Sequence, residues 1–106
     1  MLILVSGGGE IACSIAEQLM ARHEVVLIGP ESQSIPRIDR LDVELVTGLS
    51  SSVSVLRAAH VEQCDVFVAA TSNDETNLVA CIAARRLGAK RTICILANPG
   101  FVEMDE

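Results

Sequence analysis

Residues 2–12 read LILVSGGGEIA, and this stretch decides the fold. Its apolar start at residues 2–5 predicts a buried β-strand, and the helical spacing of apolar residues over 10–22 predicts a helix directly after it. Between them stands G-x-G-x-x-A, a permitted form of the dinucleotide-binding fingerprint, in which Gly7 permits the tight turn and Gly9 lets a phosphate approach the backbone. A strand before the glycines and a helix after them is the context that supports this motif.

The remainder of the chain keeps alternating short apolar runs with helical stretches. Because strands and helices alternate, we expect a parallel sheet with helices on both faces. Right-handed crossovers then give a Rossmann-like, doubly wound α/β fold with strand order 3-2-1-4-5 in three α/β/α layers. The elements expected after the first helix are strands at 24–28, 43–46, 65–69 and 92–96, an irregular helix between 31 and 40, and helices at 53–59 and 73–87.

The helix over residues 73–87 carries signals at both ends. Ser72 and Glu75 have the spacing of a capping box at the amino end. Gly88 follows the last turn, where a glycine commonly ends a helix. The agreement of these signals predicts the bounds of this helix.

Length and composition favour one domain with an aliphatic core. The chain has 106 residues, half of them hydrophobic and only two aromatic, which suits parallel strands rich in valine, isoleucine and leucine. We therefore expect a single domain over residues 1–106. The net charge of −6 disfavours nucleic acid as a partner. No run approaches the roughly 20 apolar residues that cross a bilayer, so we expect no direct membrane insertion.

The residues that could carry catalysis or hold a metal lack the necessary arrangement. The four cysteines form no CxxC pair and have no histidine near them at metal spacing, so we expect buried, reduced thiols in a cytosolic protein and no metal site. Neither G-x-S-x-G nor GK[ST] occurs, which excludes the hydrolase and P-loop classes. We predict no catalytic residue. A fragment of an NAD(P)-dependent oxidoreductase is a less favoured interpretation, because a dehydrogenase needs a second domain for its substrate and 106 residues leave no room for one.

Ligands of doubly wound folds bind outside the carboxyl ends of the strands, where the strand order reverses. The candidate nucleotide-binding residues therefore follow the strands. They are Gly7, Gly8, Gly9, Glu10 and Ile11 after the first strand, Gly29, Pro30 and Glu31 after the second, Gly48, Leu49 and Ser50 after the third, Thr71 and Ser72 after the fourth, and Asn98 after the fifth.

The ribose pocket of this candidate site is unusual. A site for NAD places an acidic residue at the end of the second strand, where this chain has Gly29. Glu31 stands two residues on, with Pro30 fixing its direction. NADP is an alternative when the acid is missing, but the nearest arginine, Arg37, lies farther along the chain. At the third strand, Gly48 would allow close approach of an adenine.

Three stretches together resemble a known family, the TrkA-N or RCK domain, which is the regulatory nucleotide-binding domain of bacterial potassium uptake systems and potassium channels. They are GGGEIA at residues 7–12, CDVFVAATSNDETNL at 64–78 and LGAKR at 87–91. The resemblance covers essentially the whole chain, and its second and third stretches are more specific than the glycine loop.

The resemblance implies a cytoplasmic domain that binds NAD(H) or an adenine nucleotide (ATP, ADP or AMP) without turnover. It also implies that the ligand state is passed to a membrane-embedded potassium transporter or channel subunit, and that the full-length protein is a homo-oligomer. By position, Gly7, Gly9 and Glu10 would contact phosphates. Thr71 would line the cleft, and Asn98 would border the pocket.

The chain departs from this family at two positions that face the nucleoside. The family usually has an acid where Gly29 stands and another where Leu49 stands. These departures leave two functional readings open, a regulatory domain that binds a nucleotide and a degenerate module that keeps the fold for assembly. The family's domain also continues past the fifth strand, so this chain is either a truncated piece or a degenerate copy.

Overall fold

The computed structural model describes residues 1–29 and 41–97, and the irregular helix expected between 31 and 40 lies outside them. Among the described residues the chain alternates strands and helices, as the sequence predicts. The elements are β1 (Leu2–Ser6), α1 (Glu10–Leu19), β2 (Glu24–Gly29), β3 (Glu44–Thr47), α2 (Val53–Ala58), a short 3₁₀ helix (Val61–Gln63), β4 (Val66–Ala69), α3 (Asp74–Leu87) and β5 (Arg91–Cys94).

All described strands pair in parallel, in the order β3-β2-β1-β4-β5. The first strand is therefore central, and Val5 pairs with Leu27 of β2 on one side and with Val68 of β4 on the other. This order confirms the predicted doubly wound fold. It also places the point where the strand order reverses between β1 and β4, directly above which the glycine loop leaves the sheet.

The sheet separates two hydrophobic cores, and their membership follows the two-residue period of the strands. Ile3 and Val5 point to the face covered by α1, where Ala12 and Ala16 are fully buried. Leu4 points to the opposite face, which is covered by α2 and α3. The three α/β/α layers predicted from the alternation of elements are thus present.

The ends of two helices differ from the sequence predictions. Helix α1 ends at Leu19 and not at residue 22, because the carbonyl of Leu19 accepts hydrogen bonds from the N–H groups of both Arg22 and His23 and closes a turn. At α3 the capping box is wrong. Asn73 is the N-cap, and its Oδ1 accepts from the N–H of Thr76 at 2.9 Å. Gly88 ends α3 as predicted, with a φ of 122°.

The four cysteines are thiols, but the expectation that all are buried is wrong for Cys94, which is half-buried on the edge strand β5. Burial raises the pKa of Cys64 to about 11, helped by the neighbouring Asp65. Burial likewise raises the pKa of Cys81 to about 12. A protonated thiol is a poor nucleophile, so both side chains act as small apolar residues of the core at neutral pH.

The pole of the sheet opposite the glycine loop is closed by a carboxylate. Asp65 Oδ2 accepts from the N–H of Leu2 at 2.9 Å, and Oδ1 accepts from Lys90 Nζ at 3.2 Å. The Leu2 hydrogen bond and then the Lys90 ammonium lower the pKa of Asp65. This contact joins the starts of β1, β4 and β5.

Within the described residues no helix has the length and apolar composition that crossing a membrane requires.

Candidate functional site

A cleft of about 830 Å³ opens at the carboxyl ends of the strands, over the point where the strand order reverses. Its volume lies in the range of small-molecule sites. The residues that line it come from the loops after β1, β3 and β4 and from the end of β2: Ser6, Gly7, Gly8, Gly9, Glu10, Ile11, Ile28, Gly48, Leu49, Ser50, Ala70, Thr71, Ser72, Asn73 and Thr76.

Most residues predicted from the sequence meet in this cleft. They are Gly7, Gly8, Gly9, Glu10, Ile11, Gly48, Leu49, Ser50, Thr71 and Ser72. Gly29 is not a lining residue but lies beside the loop, since a Cβ built on it would be 3.9 Å from the Gly7 carbonyl oxygen. Pro30, Glu31 and Asn98 lie outside the described residues.

Gly7 holds the loop against the sheet. Its φ is 144°, and a Cβ on it would lie 2.6 Å from the carbonyl oxygen of Ala70, at the end of β4. Its N–H donates to the carbonyl of Ile28, in β2, at 2.8 Å. A side chain here would require a backbone conformation that L-residues rarely adopt, and it would overlap the carbonyl oxygen of Ala70. The turn after β1 therefore requires glycine.

Gly9 has a different reason to be glycine. It is the N-cap of α1 in an extended conformation, and a Cβ built on it would have no neighbour within 4 Å. As the N-cap residue, Gly9 has no side chain that could cap this helix end. The first-turn N–H groups have no intrahelical acceptors, and together with the helix dipole they form a site for an anion. The open space over Gly9 gives a phosphate access to them.

The loop after β3 contributes an apolar wall. Gly48 lines the cleft, and the adenine approach predicted for it stays a prediction. Its φ is 144°, and a Cβ would lie 2.6 Å from Val55 Cγ2, so glycine is required for packing on α2. Leu49 next to it is 63% exposed, which is high for a leucine, and Ser50 is buried.

The loop after β4 is organised by Asn77, a fully buried residue of α3 that the sequence analysis did not single out. Asn77 Oδ1 accepts from Thr71 Oγ1 at 2.6 Å and from the N–H of Thr71 at 3.0 Å. Its Nδ2 donates to the carbonyls of Thr71 at 3.0 Å and of Ile95 at 2.9 Å. Both ends of the amide are thus satisfied. Asn77 fixes Thr71 at the cleft and ties this loop to the segment after β5.

Ser6 is another lining residue that the sequence analysis did not single out. It is fully buried at the end of β1, and its hydroxyl has no hydrogen-bond partner among the described residues. Buried polar groups in native proteins nearly always have a partner, so this hydroxyl suits a bound ligand or water in the cleft. A serine that ends an apolar run directly before Gly7 was the available signal.

Among the described residues that line the cleft, Glu10 has the one charged side chain, and no lysine or arginine is present. A phosphate in this cleft would therefore contact backbone N–H groups of the described lining residues and not lysine or arginine. The described ranges, 1–29 and 41–97, contain no group of three histidine, cysteine or acidic residues placed to hold a metal ion.

Comparison with known families identifies the family of the domain that contains this cleft. The family model described as TrkA-N domain matches residues 3–104, nearly the whole chain. The chain belongs to the TrkA-N domain family. This confirms the resemblance drawn from the three sequence stretches, and the glycine loop of the cleft falls inside the matched region.

The TrkA-N chain is similar over most of its length to curated potassium uptake proteins. It is 39% identical over 103 residues to a Trk system potassium uptake protein TrkA homolog of Archaeoglobus fulgidus, an alignment that covers 97% of this chain and 24% of that protein. The chain thus spans about a quarter of the length of this relative.

Solved structures share the fold at low sequence identity. A Kef CTD of Shewanella denitrificans in AMP-bound form superposes with a TM-score of 0.74 at 15% identity, covering 88% of this chain and 57% of that one. The NAD(P)-binding domain of an exopolyphosphatase-related protein of Archaeoglobus fulgidus gives a TM-score of 0.67 at 17% identity, covering 97% and 94%. These likenesses confirm the Rossmann-like architecture.

The two glycines of the TrkA-N loop predict opposite outcomes on substitution. Gly9→Ala should change the free energy of unfolding by about 1 kcal/mol or less, since the new methyl group has open space, but it should weaken nucleotide binding at least about tenfold by covering the α1 amides. Gly7→Ala is the matched control and should lose about 2 kcal/mol or more of stability, because it introduces strain and overlap with Ala70. Denaturant unfolding and calorimetric titration measure both effects. Equal stability losses in the two variants would contradict this account.

Asn77→Ala should destabilise the TrkA-N domain by about 3 kcal/mol, because it leaves the N–H of Thr71 and the carbonyl of Ile95 without their buried partner. Asn73→Ala is the control on the same turn. It removes only the cap of α3 and should cost about 1 kcal/mol. Urea unfolding followed by circular dichroism compares the two. A loss in Asn77→Ala no larger than in Asn73→Ala would show that the Asn77 hydrogen bonds do not organise the loop.

Proposed function

We propose that this TrkA-N domain is the cytoplasmic regulatory domain of a potassium uptake system and that it binds NAD(H) or an adenine nucleotide as an effector without converting it. The observation that carries this proposal is the glycine-lined cleft over the open amino terminus of α1. Its walls come from the ends of β1, β2, β3 and β4, so a ligand bound there would contact loops that belong to distant parts of the chain.

The chemistry of the cleft suits a phosphorylated nucleoside. Helix amides beside Gly9 supply donors for phosphate oxygens, and the buried hydroxyl of Ser6 offers a further polar contact. The wall formed by Leu49 and Ile11, which is 60% exposed, gives an apolar surface of the kind a purine base covers. Phosphate, sugar and base would thus each meet a different part of the lining.

The lining supports binding more than turnover. Proton transfer in catalysis generally needs a positioned acid or base beside the reacting atoms. Among the described lining residues only Glu10 carries a carboxylate, and the lining contains no histidine, lysine or cysteine. We therefore assign Gly7, Gly8, Gly9, Glu10, Ile11, Gly48, Leu49, Ser50, Thr71 and Ser72 to ligand contact and none of them to catalysis.

The names of similar proteins supply the biological setting of the proposal. Relatives that share this domain are Trk system potassium uptake proteins, one of them from Halomonas elongata at 31% identity. A structural neighbour was solved with AMP bound. We infer that the partner of the present domain is a membrane-embedded potassium transporter or channel subunit. Through this partner the domain acts at the inner face of the membrane. We also infer that the full-length protein forms homo-oligomers.

Calorimetric titration with NAD⁺, NADH, ATP, ADP and AMP tests the effector proposal. We expect saturable binding of at least one of them, with retention of the intact nucleotide after incubation as shown by chromatography. Gly9→Ala serves as the folded control with weakened binding. Absence of binding by all five nucleotides at millimolar concentration would exclude the effector role, and release of a converted product would exclude binding without turnover.

The second candidate function is a module that keeps the fold for assembly and has lost its ligand. Gly29 and Leu49 favour it, since both stand where the family usually has acids. If it is correct, the wild-type chain should bind no nucleotide, and the double variant Gly29→Asp, Leu49→Asp should gain binding, because each restored carboxylate adds about 1.5–3 kcal/mol of hydrogen bonding. Calorimetry with NAD⁺ measures the gain. If neither the wild type nor the double variant binds NAD⁺, this candidate function is contradicted.

A further inference from the structure

Gly29 occupies the position where dinucleotide-binding folds place the acid that hydrogen-bonds the adenosine ribose. It is the last residue of β2 and pairs with Thr47 of β3. Its carbonyl accepts from the N–H of Gly48 at 2.9 Å, so the sheet holds its backbone in place. The end of β2 is therefore well defined, and any side chain at this position would leave it in a fixed direction.

Among the described residues, neither conformation nor packing requires glycine at this position. The φ of Gly29 lies outside the left-handed region, unlike the φ of Gly7 and Gly48. A Cβ built on Gly29 would meet its nearest atoms at 3.9–4.0 Å, which is ordinary van der Waals contact. Gly7 and Gly48 would each place a Cβ 2.6 Å from a neighbour. The fold thus explains two of these three glycines and leaves the third to be explained by the ligand.

A side chain at position 29 would face the phosphate loop. The atoms nearest to its Cβ would be the carbonyl oxygen of Gly7, Leu45 Cδ1 and the Cα of Gly8. The ribose of a nucleotide whose phosphates lie over Gly7–Gly9 would occupy this neighbourhood. The missing side chain therefore leaves open the space in which a carboxylate would accept hydrogen bonds from ribose hydroxyls.

No described side chain near position 29 supplies a replacement for that acceptor. The carbonyls of Ile28 and Gly29 already accept from the N–H groups of Gly7 and Gly48, at 2.8 and 2.9 Å. On the β3 side the cleft presents the exposed apolar side chain of Leu49. Glu10, the one carboxylate among the described lining residues, stands at the start of α1.

We infer that the cleft recognises an adenine nucleotide through its phosphates and base and makes no hydrogen bond to the 2′-hydroxyl of the ribose. The cleft does not discriminate at this hydroxyl because Gly29 has no side chain. The inference rests on the proposed effector function and names its ligand class: adenosine phosphates and their 2′-deoxy counterparts bind alike. A nucleotide-binding fold that carries the acid discriminates between these two classes, because a ligand that lacks the hydroxyl leaves the carboxylate unpaired.

The test compares paired ligands by isothermal titration of the full chain: ATP, ADP and AMP, each beside its 2′-deoxy counterpart. For the wild type we expect the two dissociation constants of a pair to agree within about twofold. Gly29→Asp should favour the ribonucleotide at least about tenfold, since the 2′-hydroxyl gives its carboxylate a charged hydrogen bond that the 2′-deoxy counterpart does not offer. Gly29→Ala is the matched control, which adds the Cβ without the acceptor and should leave the ratio at about one.

Each outcome decides between the inference and the function on which it rests. A wild-type preference for the ribonucleotide of about tenfold or more would overturn the inference and leave the effector function standing, and loss of that preference in Glu31→Gln would place ribose recognition on Glu31. Failure of every ligand to bind the wild type would overturn both. Thermal unfolding confirms that Gly29→Asp folds, and Gly29→Asn provides a neutral acceptor at the same position if it does not. If both folded variants keep a ratio near one, Gly29 does not set ribose recognition.

Discussion

The close contact between the turn after β1 and the end of β4 is the constraint on which the rest of the structure depends. Gly7 passes so near the carbonyl of Ala70 that no side chain fits between them, and its N–H is bonded to Ile28 of β2. One residue thereby touches the ends of three neighbouring strands. Because the turn is pulled onto the sheet, α1 starts directly above the point where the strand order reverses, and its amides face the cleft.

The other walls of the cleft are fixed by equally local means that do not involve a ligand. Gly48 turns the chain after β3 onto Val55 of α2, and Asn77 holds the loop after β4 from within α3. The cleft is thus a preorganised cavity whose backbone is set by packing. The side chains that face into it include the apolar Leu49, and Gly29 beside the loop contributes none. In the proposed function, phosphate contact and nucleoside contact therefore fall to separate parts of the cleft.

The sequence predicts the fold well because the fold depends on periodic and punctuating signals. Apolar runs and helical spacing predict every described strand and α-helix but not the 3₁₀ helix at Val61–Gln63, and the strand order follows from handedness. Boundaries that depend on backbone hydrogen bonding are less predictable: the double acceptance at Leu19 ends α1 early, and the cap of α3 falls on Asn73, one residue from the predicted Ser72. The role of Asn77 is invisible in the sequence because its partner Ile95 belongs to another element. Ribose recognition stays a prediction, since Glu31 lies outside the described residues.

The pairing of β1 with β4 has a consequence for the order in which the domain forms. The loop at residues 7–12 is synthesised early, yet Ala70, which shapes it, follows about sixty residues later and is held by its N–H bond to the Ser6 carbonyl at 2.8 Å. Closing so long a loop costs conformational entropy that only the completed sheet offsets. A nascent chain that has not yet delivered β4 therefore has the glycine motif without its shape. The glycine loop thus reaches its folded shape late, together with the sheet itself.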